Sequence, residues 1–321
     1  MFMIHKSKLI TRKFICKATL ASVLTASILP MANADVVTSI RPLAFIAAGI
    51  ADGVTDTQVL LPDGASPHDY ALKPSDLKKI KQADLFVWVG PELEMFLAKP
   101  INGLAQNKRL ALAEQKNIHA LLMAENHEEE DSHQHADKPN HDEDHEHHHH
   151  GEYNMHIWLS PDIANLAADD IYARLVELYP DQKEKLDVNL RKFKENMAQS
   201  DKKIASILKS AQNKGYFVFH DAYGYFEKHY QLAPLGHFTI NPEIQPGAQK
   251  LHQIRTQLVE HKAQCVFAEP QFRPAVIESV AKNTGVKMGT LDPLGSGLAI
   301  GPDSYMKFLT TLSEQYASCL N

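Results

Sequence analysis

VVTSIRPLAFIAAGIADGVTDTQVLLPDGASPHDYALKPSDLKKIKQADLFVWVG, residues 36–90, is the stretch whose reading decides the fold. Three short apolar runs, at 36–40, 57–61 and 85–90, alternate with helical stretches at 43–54 and 75–83. Apolar runs of that length, bounded by turn-forming residues, read as buried strands. A helix between two strands carries the chain back across the sheet, so the strands run parallel. The C-terminal third repeats the alternation: YFVF at 216–219, a helix, a proline-bounded loop at 234–246, a helix at 248–261, CVFAEP at 265–270, another helix and VKMGTL at 286–291. The expected fold class is α/β: two lobes with central parallel sheets flanked by helices.

The segment between the lobes has a different period. Residues 180–211 contain no internal Gly or Pro, and Leu186, Leu190, Phe193, Met197, Ile204 and Leu208 recur at spacings of three, four and seven. That is one apolar stripe on a single helix of about 30 residues, roughly 45 Å long. Too few clean heptads are present for a coiled coil. A rigid rod joining the lobes would resist a wide hinge. Upstream, Ser160-Pro161-Asp162 is a helix start, with Ser at the N-cap and Pro at the first helical position. The expected organisation is a leader at 1–34, a first lobe at 35–179, the linking helix at 180–211 and a second lobe at 212–321.

The leader reads as a cleavable secretory signal. Lys6, Lys8, Arg12, Lys13 and Lys17 precede an apolar stretch at 18–29, and Ala32-Asn33-Ala34 fits a small-x-small cleavage site before Asp35. The apolar stretch is short of the roughly 20 residues that span a bilayer. Cys16 precedes this stretch, which is the wrong place for a lipid-modified N-terminus. Cleavage removes five of 33 basic residues and none of 39 acidic ones, so 28 face 39 and the net charge is −11. Such a charge argues against nucleic acid as a partner and favours cations. Cys265 and Cys319 remain, and in an exported chain two cysteines most simply pair with each other. Closing a loop of about 55 residues stabilises by ~4 kcal/mol in the chain-entropy model.

Ten histidines lie between His119 and His150: His119, His127, His133, His135, His141, His145, His147, His148, His149 and His150. Acidic residues are interleaved with them, and almost no apolar residue is. Neutral imidazole is the commonest protein ligand for zinc, copper and nickel, so the chemistry is metal binding. A stretch this polar cannot build a fixed pocket, and 119–150 is expected to be a disordered loop. It captures the ion weakly and passes it inward, senses surplus ion, or is a solvated loop with no required role. Capture is preferred, because several weak sites on one chain raise the local ion concentration. His133, His135, His141, His145, His147, His148, His149 and His150 form an accessory set, which His237 in PLGHF could join.

A selective pocket is expected beyond the carboxyl ends of the strands. His68 follows the second strand in LPDGASPHDY, and His220 directly follows YFVF. Asp292 follows VKMGTL, and His156 sits in NMHIWLSP just before a helix start. Three imidazoles and one carboxylate meet the tetrahedral demand of zinc, and a full shell favours binding over catalysis. Each residue also has a plain structural reading: a hydrogen-bonded histidine at a strand end, or an Asp in a turn before Pro293. Glu269 in AEPQF is assigned packing or hydrogen-bond support. Tyr223, Tyr225 and Phe226 are assigned to packing of the helix after His220.

The motifs LPDGASPHDYALKPSD, NMHIWLSPDI, FHDAYGYF, FAEPQF and LDPLG, in this order, resemble the metal-binding family of solute-binding proteins of ABC transporters. The resemblance covers the chain after residue 34, and the histidine tract and C-terminal cysteines are similar to its zinc-uptake branch. It implies two α/β lobes bridged by a rigid helix, and delivery of the ion to an inner-membrane permease with its ATPase. It also implies a periplasmic monomer with no organic cofactor. The ligand roles it implies fall on His68, His156 and His220, with Asp292 as a possible fourth. Manganese-type members have a carboxylate at the third position; His220, a softer nitrogen donor, tilts the choice to Zn2+. Pro67 precedes His68, so no carboxylate is available there.

Two other classes are weighed. An exported zinc hydrolase would want HExxH or an open three-ligand site with a general base, but His127-Glu128 is followed by Asp131 and the motif is not completed. No nucleophile elbow, phosphate loop or dinucleotide fingerprint is present. A surface metal-binding adhesin would want a lipid anchor that the leader lacks.

Overall fold

The computed structural model describes residues 35–125, 151–260, 262–273 and 275–321. The expectations for the leader at 1–34 and for the tract histidines from His127 to His150 lie outside these residues. Among the described residues, eight strands form two four-stranded parallel sheets. The first contains β1 (Val36–Thr38), β2 (Thr57–Val59), β3 (Leu85–Trp88) and β4 (Arg109–Ala111), in the order β2-β1-β3-β4. The second contains β5 (Tyr216–His220), β6 (Gly236–Thr239), β7 (Cys265–Ala268) and β8 (Lys287–Thr290), in the corresponding order β6-β5-β7-β8. Each sheet therefore reverses its winding beside its first strand, the place where open α/β sheets bind ligands.

Helix α1 (Arg41–Ala51) follows β1 and buries ten of its eleven residues. A helix apolar all round must be packed on every side. Around it lie α5 (Pro161–Leu178), α6 (Lys183–Leu208) and α10 (Ser304–Leu320). At Gly49 an added Cβ would come within 2.8 Å of the Phe193 ring, so only glycine lets α1 and α6 approach this closely. The smaller helices α2 (Pro74–Gln82), α3 (Ala98–Asn102) and α4 (Lys116–His119) complete the first half, and α7 (Gly224–Tyr230), α8 (Ala248–Val259) and α9 (Ala275–Ala281) the second. No helix among the described residues is long and apolar enough to cross a membrane.

The linking helix has the expected stripe with one addition. Leu186, Phe193, Met197, Ile204 and Leu208 are buried, while Leu190 is only partly so. Asn189 joins them, because its Nδ2 donates to Ile50 O (2.8 Å) and Asp52 O (2.9 Å), carbonyls left open where α1 ends. The α-helix covers 26 of the expected residues; a 3-10 turn (Pro180–Gln182) precedes it, and the left-handed Asn213 (φ 64°) follows it. Helix α5 starts as read from sequence, Ser160 Oγ accepting from Ile163 N at 3.2 Å with Pro161 in the first turn.

The C-terminal helix crosses back over the molecule. α10 packs on α6 and α1, with Phe308 against Phe45 (ring centroids 5.9 Å) and Tyr305 against Phe193 (6.0 Å). Its far end is bonded to the second sheet by the disulfide Cys265–Cys319, Cα atoms 6.0 Å apart. The loop between β8 and α10 is also fixed to the first half. Arg41 forms an ion pair with Asp63 at 2.7 Å and donates to the carbonyls of Gly295 (3.3 Å) and Leu298, while Asp63 accepts from Gly297 N (3.2 Å). Gly295 takes φ +63°, and a Cβ there would strike Phe308 and Phe45, so the turn requires glycine.

Candidate metal centre

Two loops and the end of a strand bring three imidazoles together. His68 lies between β2 and α2, its N–H donating to Ser66 Oγ at 3.2 Å. His220 ends β5 at the winding reversal of the second sheet. His156 precedes a 3-10 turn (Ile157–Leu159) that leads into α5. Its segment is pinned by an antiparallel bridge between Ala124 and Tyr153 and by Asn154 N donating to Met123 O (2.9 Å). That bridge joins the chain just before residue 126 to the chain just after residue 150, and Tyr153 lies three residues from His156.

The Nε2 atoms converge. His156 Nε2 lies 3.2 Å from His68 Nε2 and 3.1 Å from His220 Nε2. One ligand atom from each ring falls within 4.8 Å of the other two. Partners on the outer nitrogens set the tautomers. His220 Nδ1 donates to Glu269 Oε1 at 2.7 Å, both side chains fully buried. His156 Nδ1 donates to Asn154 Oδ1 at 2.9 Å, and the same oxygen accepts from His156 N at 3.0 Å. Asn154 is itself oriented, its Nδ2 donating to Asp221 O at 2.9 Å. With their protons on Nδ1, both rings present bare lone pairs on Nε2.

Burial keeps two of the rings neutral. It lowers the pKa of His68 to about 3, with the neighbouring His220 adding to the effect. Burial also holds His156 well below the ordinary histidine value, followed by repulsion from His220 and His68. A cation placed between nitrogens this close would accept a lone pair from each ring. A tetrahedral zinc with Zn–N distances near 2.05 Å would set neighbouring nitrogens about 3.3 Å apart, close to the observed separations. The cavity at the cluster is about 10 Å³, enough for one water-sized sphere. Pro67, Trp158, Phe272, Pro293 and Leu294 wall it, so the site is apolar apart from its few donors. It fits a single atomic cation and is too small for a sugar, an amino acid or a peptide.

Asp292 is not brought into the cluster. Its Oδ1 accepts from Gln271 Nε2 (2.8 Å) and Leu294 N (3.0 Å), and its Oδ2 from Ser296 N (2.6 Å). His237 lies on the edge strand β6, paired with Val218, and outside the cluster. His119 closes α4 with its ring 5.4 Å from Tyr153. The supporting acceptor Asn154 and the amide Gln271 were not singled out in the sequence, although NMHIW and AEPQF contain them.

Three imidazoles converging between two parallel α/β lobes define a two-lobed solute-binding protein whose solute is a metal cation. Residues 36–319 match the family described as zinc-uptake complex component A, periplasmic (ZnuA), and the chain belongs to that family. It is 59% identical over 326 residues to the high-affinity zinc uptake system protein ZnuA of Yersinia pestis, covering 99% of this chain and 100% of that one. With the protein of that name from Haemophilus ducreyi it shares 48% identity over 306 residues, 95% of this chain and 99% of the other. A crystal structure of ZnuA superposes with a TM-score of 0.71 at 24% identity, covering 89% of this chain and 99% of that one. The periplasmic zinc-binding protein TroA of Treponema pallidum gives 0.73 at 19%, covering 90% and 99%. At those identities the two structures bear on the fold alone.

The Glu269–His220 pair carries a first prediction. A carboxylate behind a ligand histidine fixes its tautomer and raises its basicity, and losing such a partner typically weakens metal binding about 10- to 100-fold. Glu269→Gln is expected to do so for zinc, as read by competition with a chelator of known affinity. Unchanged affinity would mean that Glu269 serves packing only.

Proposed function

We propose that this protein captures Zn2+ in the periplasm through His68, His156 and His220 and delivers it to an inner-membrane ABC permease with its ATPase. The observation that carries the proposal is the convergence of three histidine rings, nitrogen to nitrogen, on one ion-sized cavity. Residues 1–34 act as the cleaved secretory signal, and the lobes 35–179 and 212–321 meet across the site with the helix 180–211 behind them. The protein works as a monomer without an organic cofactor. It binds and releases its cargo rather than transforming it.

The histidine tract serves as a weak antechamber. At its stem Glu125 is pushed up to about 7, first by burial and then by repulsion from Asp221 and Glu92, so carboxylates crowd where the tract leaves the body. A passing cation would relieve that crowding. Titration calorimetry on the full chain and on a form lacking residues 127–150 tests the arrangement. One tight equivalent of zinc is expected in both, with the additional weak equivalents lost from the shortened form. A tight equivalent that disappears along with the tract would overturn the assignment to the three histidines.

A further inference from the structure

Gln271 lies three residues past β7 and lines the same cavity as the three histidines. Its Nε2 donates to Asp292 Oδ1 at 2.8 Å and lies 3.4 Å from Ser296 Oγ. Turning the amide over would set its oxygen against a carboxylate, so the orientation is fixed. A planar amide held by its nitrogen presents its oxygen the other way. That Oε1 is buried with no hydrogen-bond partner among the described residues. Asp292 does not line the cavity, and its own oxygens are taken by Gln271, Leu294 N and Ser296 N.

Zinc held by three imidazoles takes a fourth donor to complete its tetrahedron, commonly water. A bound water has two protons, and in an apolar cavity each needs an acceptor. Two unpartnered carboxyl or amide oxygens belong to residues of this cavity, Glu269 Oε2 and Gln271 Oε1. Glu269 is committed to His220 Nδ1, on the ring edge away from the converging Nε2 atoms. Gln271 remains.

We infer that Gln271 is the positioning residue for the fourth zinc ligand. Its Oε1 accepts a hydrogen bond from a zinc-bound water, and Asp292, instead of binding zinc itself, orients the Gln271 amide. A neutral acceptor leaves the zinc site with its full positive charge, and water is a ligand that exchanges readily when the ion must be handed on. The inference rests on the three-histidine reading of the site.

The test uses the full chain freed of metal, with Gln271→Met and Asp292→Ala made singly and together. Zinc affinity is read by chelator competition, and coordination by the visible spectrum of the Co2+ form with and without thiocyanate, which replaces bound water. Each single variant is expected to weaken zinc about 10- to 100-fold. The double variant should be no worse than either single one, because the two side chains act as one unit. Cobalt-loaded wild type should respond to thiocyanate, and Gln271→Met should alter the cobalt spectrum. Should the Met variant melt early, Asp292→Ala, which keeps Gln271 but frees its amide, should still alter the cobalt spectrum and its thiocyanate response. Wild-type affinity and spectrum in Gln271→Met, or in Asp292→Ala, would overturn the inference. So would a thousandfold loss in Asp292→Ala beside a small one in Gln271→Met, the signature of Asp292 as a direct ligand. A wild type that binds no zinc at this site would instead sink the histidine site itself.

Discussion

Replacing His220 by alanine is expected to weaken tight zinc binding by about a thousandfold. Zinc held by protein ligands is bound by about 10–16 kcal/mol at neutral pH. Removing one of three protein nitrogens forfeits about 4 kcal/mol of that, which corresponds to roughly three decades in Kd. Water can refill the position, but it is a weaker donor than imidazole. The substitution also strips Glu269 of its donor inside the core, and an unpaired buried acceptor costs about 1–3 kcal/mol of stability. The two effects are separable. His220→Gln offers an amide N–H near Glu269 without an imidazole, so it should spare the melting temperature while affinity falls as in the alanine variant. Chelator competition on the form lacking residues 127–150 keeps tract histidines from masking the loss. Affinity within tenfold of wild type in both variants would remove His220 from the site.

His220 was also the easiest member to read, for a physical reason. A strand ending at a winding reversal places the next side chain in the crevice, and YFVF followed by His shows this in the sequence. His68 and His156 sit on loops, where no period fixes the direction of a side chain; only the local motifs marked them. Asp292 shows the limit. A carboxylate after a strand and before Pro-Leu-Gly has two uses, and backbone N–H groups two and four residues on lie within reach of it in any tight turn. The competition between Leu294 N, Ser296 N, the Gln271 amide and a metal is decided by the loop path, which depends on Gly295 fitting between Phe45 and Phe308. Those aromatic partners come from the two ends of the chain, so no local window contains the answer. Six of the eight strands among the described residues were legible as apolar runs, but β4 and β6 were not. β6 lies inside the proline-bounded stretch 234–246, which reads as a loop because its GHFT holds too few apolar residues. The pairing of Cys265 with Cys319 was legible. The return of α10 onto α1 was not, since an amphipathic stripe states that a helix is covered but not by what.

Acid should destabilise the metal-free protein strongly, and the cause lies in the same three rings. In the unfolded chain a histidine protonates near pH 6.5. In the folded protein His68 does so only at about 3, because its ring is buried beside His220. Between those values the unfolded state binds a proton that the native state refuses, so native stability falls as pH drops from 6.5 towards 3 and is unaffected by this group above 6.5. Full development of the His68 shift is worth on the order of 5 kcal/mol, and His156, lowered by burial and by its two neighbours, acts in the same direction. Urea titrations of the zinc-free protein at pH 7 and pH 4 should show the loss, and His68→Gln should lose less between the two. Equal sensitivity in that variant would place the acid response elsewhere. Zinc binding feels the same property with the opposite benefit. Free imidazoles would have to shed protons to bind metal at pH 6, which from sequence alone predicts a fall in affinity there. With His68 and His156 already neutral, the triad can release at most one proton on binding zinc at that pH. Calorimetry of the form lacking residues 127–150, in buffers of different ionisation enthalpy, counts those protons directly. Two or more released per zinc would mean that the buried rings are charged before the ion arrives, and the lone-pair account of the site would fail. Holding His68 and His156 neutral beside His220 is thus what makes the empty protein acid-labile and the site ready for its cation.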